Sequence, residues 1–327
     1  MIKVKATSRD PVTTYAKNVL SGKIIAGPHV RAACQRHLND LEQAAQRGFF
    51  FDLDKVKRVI GFYEDILRLN GGEYEGQPYR LLDWQKFIVG SLFGWVNADG
   101  HRRFRVAYVE TAKGSGKSPL AAGIGLYGLV ADYEARAEIY AAATKKDQAM
   151  VLFRDAVAMV NQSPDLSANL TKSGVGESVW NLAYRRAGSF FRPISSDDGQ
   201  SGPRPHIALV DEIHEHKTNV AVEMMRAGTK NRRQALIFMI TNSGSDKYGP
   251  CWQYHEYAAR VASGQLIDDA FFSYVCALDD GDDPFQDESV WHKANPSLTY
   301  GVPGVRYIRE QVNEARGMPG KEALVRR

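Results

Sequence analysis

A glycine-rich turn that ends in lysine and serine carries the most direct chemical signal in the sequence. It follows an apolar run and precedes an alanine-rich stretch. Small residues let consecutive backbone N–H groups curl around phosphate oxygens at a helix start, while a lysine reaches the outer phosphates and a hydroxyl binds Mg²⁺. Gly114, Ser115, Gly116, Lys117 and Ser118 supply these parts. The turn therefore predicts a phosphate-binding P-loop.

The match to the P-loop pattern is incomplete at its first position. The pattern G-x-x-x-x-G-K-[ST] has glycine where Thr111 stands in this sequence. A Gly/Ser surface turn beside a solvated lysine would have the same composition. A second motif is needed to favour one interpretation over the other.

Two adjacent carboxylates, Asp211 and Glu212, follow the apolar run 207–210. Four apolar residues suit a buried parallel strand, whose acidic end emerges at the edge of the sheet. In a P-loop enzyme Asp211 would hold Mg²⁺ through water, and Glu212 would polarise the water that attacks the γ-phosphate. A strand running into a solvated turn is the alternative, but the position downstream of the P-loop favours a catalytic role.

Composition limits the classes of protein to consider. With 327 residues and 44% hydrophobic content the chain can bury a substantial core, as two domains or one domain with extensions. The net charge of +4 gives no global basic field, so DNA contacts must come from local patches. Cys34, Cys251 and Cys276 lie far apart, which argues against a disulfide scaffold or zinc site. Without a bilayer-length apolar run or a secretion signal, we expect a soluble, intracellular protein.

Hydrophobic periodicity and turn residues predict the elements that position these motifs. Strands alternate with helices, which is typical of a mostly parallel α/β sheet. We predict helices over 13–70, 83–95, 119–127, 146–160 and 252–263, strands over 105–110, 138–143, 178–184, 189–194, 207–210 and 235–241, and a polar loop over 195–203. The strand over 235–241 is predicted to be the last.

The order of motifs resembles that of translocating ATPases of the additional-strand class. Within that class, the chain is similar to the ATPase part of tailed-bacteriophage terminase large subunits of the HK97-like kind. The resemblance is carried by the segments 82–87, 93–95, 111–118, 210–212 and 291–298, of which the last is the most family-specific.

The resemblance implies an α/β P-loop NTPase fold of the additional-strand, RecA-like type, with helices flanking a mostly parallel sheet. It implies a helical N-terminal region over 1–75, an ATPase domain over 76–265, and a linker over 266–327. In the family the linker leads to a nuclease domain, which this chain does not include, so we expect no nuclease activity from it.

The resemblance also assigns roles to residues outside the two acidic and glycine-rich motifs. Trp84 and Gln85 would lie against adenine, Lys113 would be the basic residue within the P-loop, and Thr241 and Asn242 would form the coupling motif that senses the γ-phosphate. The alternatives are a core tryptophan in an ordinary helix turn, a solvent-facing loop lysine, and a strand-end cap.

An arginine supplied by a neighbouring subunit would stabilise charge on the γ-phosphoryl oxygens. The family has this residue in the loop before the acidic strand, which selects Arg204. Arg154 and Arg192 remain open, and any one arginine could instead be a surface charge.

The function implied is that of a motor that hydrolyses ATP, with Mg²⁺, and translocates double-stranded viral DNA into a procapsid. Its partners would be DNA, the small terminase subunit, the portal protein and further copies in a ring, in the cytoplasm of the infected bacterial host. The alternatives are a helicase-like DNA-dependent ATPase and a nucleotide-gated assembly protein without translocation.

Several charged clusters invite further interpretations. The pair 145–146 and the segment 230–233 are basic and could track DNA phosphates, or be solvated faces. His214 and His216 follow the acidic motif too closely to favour zinc, and are predicted to form hydrogen bonds in a loop. The acid-rich segment 279–283 is predicted to be a solvated linker without a site.

Overall fold

The computed structural model describes residues 10–196, 202–318 and 320–325. Most of the predicted polar loop over 195–203 therefore lies outside the described residues. The helices are α1 (Pro11–Leu20), α2 (Pro28–Gln43), α3 (Leu53–Gly61), α4 (Asp83–Gly94), α5 (Lys117–Val130), α6 (Lys146–Gln162), α7 (Pro164–Asn169), α8 (Val220–Ala227), α9 (Pro250–Ala262), α10 (Trp291–Ala294), α11 (Val305–Gly317) and α12 (Glu322–Val325). The strands are β1 (Phe49–Phe51), β2 (Trp95–Asn97), β3 (Val106–Glu110), β4 (Glu138–Ala143), β5 (Thr171–Ser173), β6 (Asn181–Tyr184), β7 (Ser189–Ser195), β8 (Ile207–Val210), β9 (Leu236–Thr241) and β10 (Phe271–Val275).

An eight-stranded sheet with the order β10-β3-β9-β8-β4-β7-β6-β5 forms the centre of the structure. The strands from β10 to β7 are parallel, and β7, β6 and β5 pair antiparallel. Strand β9 lies between the P-loop strand β3 and the acidic strand β8, as expected for the additional-strand class. This confirms the predicted P-loop NTPase fold.

The central parallel strands bury side chains on both faces, which explains why β8 is apolar throughout and β9 is apolar up to its last residue. In β3, Ala107 and Val109 belong to one hydrophobic cluster and Tyr108, between them, belongs to another. The first cluster includes residues of α5, α6 and the N-terminal helices, and the second includes residues of α8 and α9. Because parallel strands share one direction, the carboxyl ends of β3, β8 and β9 lie together. We call the side of the sheet where the parallel strands end one edge, and the side where they begin the opposite edge.

The N-terminal helices pack on α4 and continue the first cluster. The Asp10 side chain accepts hydrogen bonds from the first backbone amides of α1, and Asp52 does the same for α3. A short strand, β1, interrupts the helical region predicted over 13–70 and pairs antiparallel with β2. The N-terminal region is therefore mainly helical, apart from this strand.

Two sequence-based expectations about the C-terminal part are wrong. β9 is not the last strand, because β10 pairs with β3 over Phe271–Val275. The ATPase sheet therefore extends beyond residue 265, where we predicted the domain to end. The acids of 279–283 are also not merely solvated, because Asp279 pairs with Arg31 and Lys293, and Asp282 also pairs with Lys293.

Candidate nucleotide-binding site

The turn between β3 and α5 has the backbone geometry that phosphate binding requires. Gly114 and Gly116 adopt left-handed conformations, with φ of 84° and 88°. Side chains other than glycine rarely adopt such angles, which explains the residue type at both positions. Gly116 is the N-cap of α5, so the free amides of the first helical turn face the space above the turn.

Lys117 connects the P-loop to the end of β9. Its Nζ atom donates to the backbone oxygens of Thr111 at 2.9 Å and Ala112 at 3.0 Å. It also donates to Oδ1 of Asn242 at 2.7 Å. Burial lowers the pKa of Lys117 to about 8. An anionic ligand at this position would favour the charged ammonium.

Ser118 and Asp211 meet although they are 93 positions apart in the sequence. The hydroxyl of Ser118 donates to Oδ2 of Asp211 at 3.3 Å. Burial and the charge of Glu212 raise the pKa of Asp211 to about 6. A hydroxyl beside two neighbouring carboxyl groups suits Mg²⁺, which prefers oxygen ligands and would offset the repulsion between these acids.

Glu212 lies just beyond β8 in a left-handed conformation, with φ of 51°. A non-glycine residue in this region is uncommon and marks a constrained position. Nδ1 of His214 lies 3.1 Å from Oε2 of Glu212. Burial opposes ionisation of Glu212, but the hydrogen bond and charge of His214, together with the charges of Lys117 and Lys113, lower its pKa. The carboxylate is thus kept ionised.

The end of β9 completes the arrangement. The Thr241 hydroxyl oxygen accepts a hydrogen bond from the backbone amide of His214 at 3.0 Å. The amide nitrogen of Asn242 lies 3.5 Å from Oε2 of Glu212. Three strand ends therefore bring a lysine, a hydroxyl, two carboxylates and an amide around one site.

The family is decided by a match over more than half of the chain. Residues 83–260 match the family model for the terminase large subunit, ATPase domain. The chain belongs to this family. A curated relative, the terminase large subunit of Enterobacteria phage HK97, is 33% identical over 162 residues, which are 49% of this chain and 31% of that protein. Protein YmfN of Escherichia coli K12 is 37% identical over 101 residues, which are 31% of this chain and 22% of that protein.

A solved structure supports the same fold. The crystal structure of the HK97 bacteriophage large terminase is similar with a TM-score of 0.70 and 22% sequence identity. The similarity covers 83% of this chain and 54% of that one. The chain thus spans about half the length of the solved terminase, and the matched segments are less than a third of either curated relative.

The residues assigned to adenine lie beside the terminase P-loop but inside the protein. The side chain of Trp84 is 1% exposed, stacks on Tyr274, and donates from Nε1 to Oγ of Ser297 at 3.0 Å. Gln85 is also buried, and its Oε1 accepts a hydrogen bond from the backbone amide of Leu82 at 3.0 Å. Trp84 forms part of the wall of a cavity of about 350 Å³.

The candidate arginines do not join this group. Arg204 precedes β8, and its backbone amide donates to Glu138 at the start of β4. It is therefore at the edge of the sheet opposite to the P-loop, with an exposed side chain. Arg154 is exposed on α6, and Arg192 in β7 lies with its guanidinium 3.8 Å from the centroid of the Phe190 ring.

The basic clusters lie at opposite edges of the sheet. Lys145 and Lys146 follow β4 at the edge that carries the P-loop, and both are exposed. The segment 230–233 precedes β9 at the other edge, where Arg232 pairs with Glu134. Only the first cluster therefore shares an edge with the nucleotide site.

Sequence reasoning did not find two residues that contact the site. His214 was predicted only to form loop hydrogen bonds, yet it touches Glu212, and its position two residues beyond the acid was a usable signal. Ser297 donates to the backbone oxygen of Ser115 at 2.9 Å, across 182 positions, and no local pattern indicates this contact.

Among the described residues, His, Cys, Asp and Glu side chains form no group of three or more that could hold a metal ion. A Mg²⁺ ion bound mainly by substrate phosphates and water needs fewer protein ligands. None of the helices described is both long and apolar enough to span a membrane.

Proposed function

We propose that the chain is the ATP-hydrolysing motor part of a terminase large subunit and translocates double-stranded viral DNA into a procapsid. One observation carries the proposal: Lys117 and Glu212, on different strand ends, contact the same Asn242 side chain. Such convergence of a cation and a carboxylate beside an anion-binding turn suits hydrolysis of a nucleoside triphosphate.

In the proposed reaction the P-loop amides and Lys117 bind the phosphates. Ser118 and Asp211 would hold Mg²⁺, which when bound neutralises charge on the phosphate oxygens. Glu212 orients a water molecule toward the γ-phosphorus and accepts its proton. The new bond joins water oxygen to phosphorus, and the bond to the β,γ-bridging oxygen breaks, giving ADP and phosphate.

The remaining assignments belong to the same proposal. Trp84 and Gln85 serve the adenine end of the site, and Lys113 adds positive charge at the P-loop. Thr241 and Asn242 transmit loss of the γ-phosphate to the rest of the subunit. Arg204 acts on the site of a neighbouring subunit in a ring.

The partners proposed are double-stranded DNA, the small terminase subunit and the portal protein, in the cytoplasm of the infected bacterial host. Exposed Lys145 and Lys146 supply a sequence-independent contact to DNA phosphates near the nucleotide site. The alternative of an assembly protein that only binds nucleotide is disfavoured by Glu212, because an ionised carboxylate beside the P-loop can orient the attacking water. Separation of DNA strands by this chain would instead favour the alternative of a helicase-like ATPase.

The test compares two substitutions in the purified chain. Lys117→Ala should weaken binding of ATP and ADP by roughly tenfold or more, because a charge-assisted contact is lost. Glu212→Gln should leave binding nearly unchanged and lower phosphate release by about a hundredfold or more. Binding is measured by calorimetry and turnover by phosphate release. Equal loss of binding in both variants would contradict the assigned roles.

A further inference from the structure

The segment of residues 291–298, which we call the strut, forms hydrogen bonds with the P-loop backbone at two points. The backbone oxygen of Ala294 accepts a hydrogen bond from the backbone amide of Ala112 at 3.1 Å. The hydroxyl of Ser297 donates to the backbone oxygen of Ser115 at 2.9 Å. Ser297 and Ser115 are both buried, so the contact between them is shielded from water.

Each contact fixes the orientation of one peptide group of the P-loop. In a trans peptide the carbonyl and the following N–H point in opposite directions. A Ser115 carbonyl held by the strut therefore directs the Gly116 N–H toward the phosphate side. The Ala112 N–H held by Ala294 likewise directs the Thr111 carbonyl toward Lys117, whose Nζ lies 2.9 Å from it.

The strut is itself anchored to the core. Nε1 of Trp84 donates to the Ser297 oxygen at 3.0 Å, which orients the hydroxyl hydrogen toward Ser115. At the other end, Nε1 of the buried Trp291 donates to the backbone oxygen of Pro284 at 2.7 Å. Both ends of the strut are therefore held by indole hydrogen bonds.

We infer that Ser297 is a positioning residue for nucleotide binding, which sets the direction of P-loop amides without touching the nucleotide. The inference rests on the proposed function, because it assumes that phosphates bind at the P-loop. The oriented amides contact phosphate before and during hydrolysis. Removing the Ser297–Ser115 hydrogen bond therefore weakens ground-state and transition-state binding alike. Such a loss raises KM and leaves kcat unchanged.

The test uses Ser297→Ala, with Thr299→Ala, one residue beyond the strut, as the matched control. The exposed Thr299 hydroxyl contacts His292 and no P-loop atom among the described residues. Ser297→Ala should raise the Kd for ADP with Mg²⁺, and the KM for ATP, by roughly 3- to 10-fold, the factor expected for one buried hydrogen bond. The kcat should stay within about twofold, and Thr299→Ala should match the unmodified chain.

Hydrogen exchange of the nucleotide-free chain separates this inference from the proposed function. Peptides covering 111–118 should exchange faster in Ser297→Ala than in Thr299→Ala, with cooperative urea unfolding of both variants confirming folded samples. Unchanged exchange and unchanged Kd would overturn the inference while leaving the ATPase proposal intact. Faster exchange in a chain that never binds nucleotide would support the positioning role of Ser297 and reject the ATPase proposal. If Ser297→Ala does not fold, Ser297→Cys, a weaker donor of similar size, should give a smaller change in the same direction.

Discussion

Lys117 donates from Nζ to the side-chain oxygen of Asn242 at 2.7 Å. The amide nitrogen of the same asparagine lies 3.5 Å from Oε2 of Glu212. Asn242 therefore links Lys117, the lysine proposed to bind phosphate, to the proposed base, through a strand that carries neither. A γ-phosphate that attracts Lys117 would compete with this link, so the position of Asn242 depends on what Lys117 contacts.

Substituting Asn242 should separate turnover from binding. Asn242→Ala removes the link to Glu212 but no P-loop amide, so kcat should fall about tenfold or more while the Kd for ADP changes less than about threefold. Phosphate release and calorimetry measure the two quantities. Asn169→Ala, on exposed helix α7, is the control and should change neither. A weakened affinity for ADP with normal kcat would contradict this role.

His214 should make a pH-dependent contribution to stability. The hydrogen bond to Glu212 raises the pKa of His214, and Glu215 adds to this while burial and the charge of Lys117 oppose it. A raised folded-state pKa stabilises the fold fully below about pH 6.5, and this contribution is lost as the pH rises through the folded-state pKa.

Urea unfolding of His214→Gln and the unmodified chain at pH 5.5 and 8.5 measures this contribution. The unmodified chain should be the more stable of the two at the lower pH, by about 1 kcal/mol or less, and the difference should shrink at the higher pH. A difference that grows as the pH rises would show that the pair with Glu212 does not stabilise the protonated ring.

The motifs that are contiguous in sequence were predictable, because their chemistry is local. The P-loop glycines are required by left-handed backbone angles, and the run before Asp211 is apolar because β8 is buried on both faces. β10 was missed although Phe271–Val275 is a run of mainly apolar and aromatic residues, since we placed the domain end before it. Its assignment to the sheet depends on pairing with β3, more than 160 positions earlier.

Contacts between distant segments were not predictable from periodicity. Ser297 meets Ser115 only because residues beyond β10 return to the P-loop, and single-sequence patterns contain no information on that return. The location of Arg204 could have been derived. A residue before a four-residue parallel strand lies at the opposite edge from the acids after it, about 13 Å or more away.

A buried ion-pair network should make Arg103 important for stability. Its guanidinium, fully buried, pairs with Asp40 at 2.8 Å and Asp269 at 2.5 Å, joining α2 to the segment before β10. Arg103→Met leaves Asp40 buried without this partner and should cost about 3–5 kcal/mol of unfolding free energy, measured with urea. Arg47→Met removes a more exposed partner of the same acids and should cost about 1 kcal/mol or less. Equal costs would contradict the importance of burial.

Arg204 should affect hydrolysis only at the nucleotide site of a neighbouring subunit. It lies at the sheet edge opposite to the P-loop, so it cannot reach the site of its own subunit without rearrangement of the sheet. Under conditions where the chain assembles on DNA, Arg204→Ala should lower phosphate release by a factor on the order of a thousand, as expected for loss of a trans arginine. Arg185→Ala, at the exposed turn between β6 and β7, is the control and should release phosphate at the rate of the unmodified chain.

Mixing two inactive variants tests this directly. In a ring formed from equal amounts of Arg204→Ala and Glu212→Gln, roughly a quarter of the interfaces combine an intact arginine with an intact carboxylate. The mixture should therefore release phosphate well above either variant alone, and dilution below the assembly concentration should abolish the gain. A mixture no faster than its components, under conditions where the unmodified chain assembles and hydrolyses ATP, would exclude Arg204 as the trans residue and leave Arg154 and Arg192 as candidates.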